Sequence, residues 1–128
     1  MDPGVSVRDA CLLFRERNVG SLVVFDGVSY RGIFTERDVV KRVVAEGLDP
    51  SATTVGDVMT PKLITLRPED PVEAVEATMR QERIRHVVVM DDRLGVVGIV
   101  SLGDVAQRRA VEEHDRAEFL KEYAFGKS

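Results

Sequence analysis

The chain has 128 residues, 44% of them apolar and 31% charged, with a formal net charge of −4 at pH 7. This content can close one compact core, and the mixed-sign charge offers no broad basic field, which disfavours nonspecific nucleic-acid binding. The longest wholly apolar runs, such as Val87-Val-Val-Met90, are far too short to cross a bilayer, and no secretory leader pattern is visible, so the expected address is the cytoplasm.

In chain order, Val7, Ala10, Cys11 and Phe14 recur at helical spacing and predict an amphipathic helix. The single cysteine, with no histidine near it in sequence, is expected as a packed structural thiol. Leu22-Val-Val-Phe25 is β-branched and closes on Asp-Gly, which predicts a buried strand and a turn, followed by a short strand over residues 31–34. Thr35 then opens a helix running from Asp38 to about Ala45. Gly47 reads as its C-terminal cap, Pro50 forbids continuation, and Thr53 or Thr54 caps a short helix through Met59. Lys62-Leu-Ile-Thr65 is expected as a strand, leading through Pro68-Glu-Asp-Pro71 into a helix marked by Val72, Val75 and Met79. Strands follow at residues 87–90 and 95–100, and Ser101 opens another helix from Asp104 onward. From residue 105 the chain is densely charged, yet Phe119, Tyr123 and Phe125 bring three of the seven aromatic residues into the last ten positions. With Ala110, Ala117, Leu120 and Ala124 they predict an amphipathic tail helix that docks on the same module or on a dimer mate.

This pattern occurs twice. An offset of 65 residues carries Phe14 to Met79 and Asp26 to Asp91, and one of 66 carries Gly32 to Gly98 and Asp38 to Asp104, so one residue is inserted in the turn between the strands. A period this long, present only twice, points to two half-domains related by a pseudo-two-fold axis. The seam between them is then the first place to look for function.

The duplicated phrase Gly-hydrophobic-x-Thr/Ser-x-x-Asp, with Asp57-Val-Met-Thr60 opening the second unit and Arg83-Ile-Arg-His86-Val-Val-Val before its hairpin, resembles a tandem pair of CBS domains (cystathionine β-synthase type). The resemblance covers roughly residues 5–110. It implies an α+β fold of two β-α-β-β-α repeats packed sheet to sheet: residues 1–50, 51–110, and a helical tail over 111–128. At an offset of 65, Met1 falls opposite Leu66, so the first repeat is expected to lack the counterpart of residues 54–65, its opening helix and most of its opening strand. Such modules bind adenosine-containing ligands in clefts at the seam, regulate another activity, and commonly pair into dimers. By the same resemblance the cleft of Thr35 and Asp38 is complete, walled by residues 60–65 and by Arg85-His86, whereas that of Ser101 and Asp104 lacks a wall.

The chemistry of Thr-x-x-Asp admits two readings. Free backbone N–H groups at a helix start favour an anion beside the hydroxyl, and an aspartate one turn on can accept hydrogen bonds from both vicinal hydroxyls of a ribose. Alternatively the two residues form a capping box and bind nothing. Thr54-Val-Gly-Asp57 shares the spacing and is expected to be a cap only. For the ligand-binding reading, ribose is expected on Asp38, adenine among Ile64, Val19 and Ile33, and phosphates near Thr35, Arg37, Thr60, Arg85 and His86. Ser101 and Asp104 form the second site. Lys41 and Arg42 are assigned to an exposed helix face, and His114 to the surface, with no second ligand at metal spacing.

No nucleophile elbow, His-Glu-x-x-His, phosphate loop or dinucleotide fingerprint is present, so no enzyme is expected. The expectation is a regulatory module for AMP, ADP or ATP, ahead of NAD or S-adenosylmethionine, with no required cofactor and no metal, assembled as a homodimer. The rival is an interaction module whose clefts are vestigial.

Overall fold

A computed structural model describes residues 1–109, and the expected tail helix lies outside them. The chain divides into two units, residues 1–63 and the segment beginning at Ile64.

In the first unit, helix α1 (Val7–Arg17) starts at Ser6, whose hydroxyl accepts the Asp9 N–H at 3.1 Å, and stops at Asn18 in the left-handed conformation. Strand β1 (Ser21–Phe25) pairs antiparallel with β2 (Tyr30–Thr35). Asp26 shapes the turn by accepting the Val28 and Ser29 N–H groups at 2.8 Å each. Helix α2 (Glu36–Asp38) runs directly into a π-helix over Val39–Val44, with Ala45 N–H bonded to the Val40 carbonyl and Leu48 N–H to that of Val43. An ordinary helix was expected here. Val39, Val40, Val43 and Val44 lose side-chain freedom in α-helices, which weakens the preference for the tighter turn.

Helix α3 (Val55–Val58) packs back on the chain start. Val55 N–H bonds the Val5 carbonyl, Gly56 N–H that of Pro3, and Val7 N–H that of Thr53. The core joins Val7, Ala10, Phe14, Val24, Phe34, Val43, Val55, Val58 and Met59, with the Phe14 and Phe34 rings stacked at 5.7 Å.

The second unit repeats the plan. Strand β3 (Thr65–Leu66) lies parallel to β4 (His86–Asp91), which pairs antiparallel with β5 (Gly95–Ser101). Helix α4 (Val72–Glu82) ends at Arg83 in the left-handed conformation, the position matching Asn18. Helix α5 (Leu102–Arg109) follows β5. The register slips between Val24 and Phe25 in one copy and between Val89 and Met90 in the other, at matching positions. Among the described residues its core joins Val72, Val75, Met79, Val87, Val89, Val100 and Val105.

The strand expected at residues 62–65 is shorter and later. Thr60 instead makes an antiparallel bridge with Ile33, and Pro61, having no N–H, cannot extend it. The first sheet has two strands where the second has three. Met1 nevertheless lies beside β1 much as Leu66 lies beside β4, its amine donating to the Val23 carbonyl and its carbonyl accepting from Phe25.

Candidate functional site

Each unit positions a carboxylate at the end of a hairpin by the same local device. The strand delivers a hydroxyl residue in extended conformation, the chain turns into a helix, and the aspartate three residues on reaches back. In the first box, Asp38 Oδ2 accepts the Thr35 N–H at 3.0 Å and its hydroxyl at 3.3 Å, while Thr35 Oγ1 accepts the Asp38 N–H at 3.3 Å. In the second, Asp104 Oδ2 accepts the Ser101 N–H at 2.9 Å and its hydroxyl at 2.8 Å, and Ser101 Oγ accepts the Asp104 N–H at 3.1 Å. The capping box therefore forms at both. Thr54 takes the expected N-cap position of α3, whose C-cap is Met59, but its side chain makes no capping bond, so no box forms there.

In the first box the outer oxygen is held as well. Asp38 is only 6% exposed, and its Oδ1 accepts the Thr60 hydroxyl at 3.0 Å and lies 3.7 Å from Arg42 Nε. Arg42 also donates from Nη1 to the Met59 carbonyl at 2.9 Å. It is thus more than the exposed-face residue expected. The i,i+4 spacing to Asp38 is legible in the sequence, whereas the contact with Met59, 17 residues away, is not. Thr60 reaches Asp38 because its backbone bridges Ile33, with N–H to carbonyl bonds of 2.9 and 3.0 Å. This close approach requires Gly32: a Cβ there would overlap the Thr60 carbonyl oxygen.

The first unit therefore brings Thr35, Asp38 and Thr60 together and leaves Arg37 exposed one residue before the aspartate. The second brings Arg85 and His86 to the other box. His86 is paired with Ser101, and the Arg85 carbonyl accepts the Leu102 N–H at 2.8 Å. Ile64, half-buried, belongs to this unit too, its carbonyl bonded to Val88 N–H. Cys11 is half-buried at the first core. Burial, and secondarily the Glu36 carboxylate, pushes its thiol above the ordinary range.

Among the described residues no group of three or more His, Cys, Asp or Glu could hold a metal ion, and no helix is long and apolar enough to cross a membrane. Fold and site together define a duplicated α+β module with one carboxylate box per repeat. The family described as "CBS domain" matches residues 1–45 and 55–110. This chain belongs to that family, as a tandem pair, and proteins of the family are generally regulatory modules.

It is 37% identical over 126 residues to the mitochondrial CBS domain-containing protein CBSX3 of Arabidopsis thaliana, covering 94% of this chain but only 61% of that protein. The CBS domain-containing protein YhcV of Bacillus subtilis is 32% identical over 113 residues, covering 88% of this chain and 79% of the relative. Among solved structures, a putative signal-transduction protein with CBS domains from Burkholderia ambifaria superposes with a TM-score of 0.81 at 33% identity, covering 88% of this chain and 82% of its own.

Proposed function

We propose that this CBS pair is a ligand-sensing regulatory module, not an enzyme, that binds an adenine nucleotide: AMP, ADP or ATP ahead of NAD or S-adenosylmethionine. The observation that carries the reading is the recurrence, in both units, of a carboxylate fixed by the same three hydrogen bonds after a Gly-Ile-x strand. A carboxylate so held is preorganised to accept a ribose diol, and domains of this family generally bind adenosine-containing ligands. In the first unit Asp38 takes the ribose and Thr35 and Arg37 the phosphates. Ser101 and Asp104, beside Arg85 and His86, form the counterpart. The working address is the cytoplasm. The working assembly is a homodimer, supported by Val40 and Val44, which lie four residues apart on the π-helix and are 61% and 65% exposed.

A specific observation favours the rival interaction module: both oxygens of Asp38 already have partners within the chain. Calorimetric titration separates the two. Asp38→Ala should weaken adenine-nucleotide binding more than Asp104→Ala, with the loss of an acceptor to a charged group amounting to about 1.5–3 kcal/mol. Equal losses, or the larger one at Asp104, contradict the assignment to Asp38.

A further inference from the structure

Both carboxylate oxygens of Asp38, the proposed ribose acceptor, have partners within the chain. A diol-bearing ligand needs both oxygens of a carboxylate or both lone-pair sets of one, yet Asp38 Oδ2 is committed to Thr35, and Oδ1 to the Thr60 hydroxyl at 3.0 Å with Arg42 Nε at 3.7 Å. The Oδ2 contacts belong to the capping box and recur at Asp104, where the box is likewise built on Oδ2. The Oδ1 contacts are of another kind. They come from residues 22 positions and one helical turn away in sequence, and they join three elements: α2, the π-helix and the segment after α3.

Arg42 closes the arrangement by bonding the Met59 carbonyl at 2.9 Å, so one guanidinium spans the carboxylate and the backbone that delivers Thr60. Its side chain is 49% exposed, and the Thr60 side chain hangs on a bridge held by two backbone bonds. An exposed, rotamer-rich guanidinium and one neutral hydroxyl are groups that a ligand can displace without unfolding the core. A surface-facing ion pair of this kind is worth little by itself.

Resting on the adenine-nucleotide reading, we propose that Thr60 and Arg42 form a latch on Asp38 Oδ1, which the ribose diol must exchange for its own hydroxyls. Binding then frees Arg42 from Asp38 and, with it, its hold on the Met59 carbonyl. Occupancy of the Asp38 box is thereby reported to the segment that joins the two repeats. Thr60 and Arg42 act as competitors for the carboxylate, and a residue that competes has the opposite mutational sign from one that contacts ligand.

Adenosine is the discriminating probe, because without phosphates it isolates the diol exchange from the charge of Arg42. Calorimetric titration of adenosine, with ATP in parallel, is made into the wild-type chain, Arg42→Met and Thr60→Val, each verified as folded by circular dichroism. Arg42→Met retains the aliphatic stem and serves if Thr60→Val fails to fold. The latch predicts adenosine binding tightened in the variants by roughly three- to tenfold, the range expected when one competing hydrogen bond is removed. Binding seen only in the variants also supports it. Unchanged or weaker adenosine binding in a chain that binds ATP overturns the latch and leaves nucleotide binding standing. No binding of either compound by any of the three proteins removes the nucleotide reading and the latch together.

Discussion

Replacing Gly32 by alanine tests how the first box is assembled. A Cβ at this position would overlap the Thr60 carbonyl oxygen and stand 3.0 Å from Pro61 Cα and from the Thr60 carbonyl carbon. All three are backbone atoms, so no side chain can swing aside. Either β2 and the Thr60 segment part, losing the two bonds of 2.9 and 3.0 Å between Ile33 and Thr60, or the strain is kept. Two backbone hydrogen bonds at about 1 kcal/mol each, or overpacking at about 1–3 kcal/mol, give similar costs. The smaller conformational freedom of unfolded alanine returns about 0.4–1 kcal/mol. A net destabilisation of about 1–2 kcal/mol is expected, measured by urea denaturation followed by circular dichroism. Gly103→Ala is the internal control. Its Cβ would meet only Ser101 Oγ, at 3.7 Å, inside α5, so it should be neutral or stabilising by up to about 1 kcal/mol. A Gly32→Ala change within about 0.5 kcal/mol of zero, the range of ordinary surface substitutions, would refute the close approach of Thr60 to β2.

Arg83 ends α4 at φ 56°, a conformation that glycine adopts without penalty. Arg83→Gly should therefore stabilise the second unit by about 0.5–1 kcal/mol in the same denaturation assay, and a loss of stability would contradict this. Asp26 and Asp91 are held below the usual carboxylate range, in each case chiefly by two turn N–H groups, those of Ser29 and Val28 and those of Arg93 and Leu94. Because their folded pKa lies below the unfolded one, their contribution is present above the unfolded value and is lost as pH falls through the folded value. Stability should thus decline on the acid side of pH 4, and NMR titration should find both carboxyls ionised to lower pH than a free aspartate. Titration at or above the free value would contradict it.

Much of this architecture was legible because it is written twice. Matching stripes at Val7, Ala10 and Phe14 and at Val72, Val75 and Met79 placed both first helices, and all six residues are buried. The offset change between Asp26 and Gly32 correctly put the inserted residue in the hairpin, since Val23 faces Ile33 and Val88 faces Ile99. The box residues were legible too, because Thr-x-x-Asp and Ser-x-x-Asp follow the same strand motif. Arg42 was not. Its i,i+4 spacing from Asp38 was visible in the sequence, but that spacing fits an ordinary exposed helix face equally well, and its bond to the Met59 carbonyl, 17 residues away, left no local trace. The Thr60 contact joins residues 22 apart, and the visible trace was Gly32, needed for close backbone approach but equally readable as a strand breaker. Thr54 shows the converse: the right spacing without the side-chain bond.

The regulatory reading stands or falls on adenine-nucleotide binding by the wild-type chain. A thermal-shift panel of AMP, ADP and ATP against their guanine counterparts measures it directly. At a hundredfold excess over the dissociation constant, an adenine nucleotide should add about 2.7 kcal/mol to stability, raising the midpoint by several degrees while the guanine series does little. Midpoints unmoved by any adenine compound at millimolar concentration would contradict the account and leave the chain an interaction module.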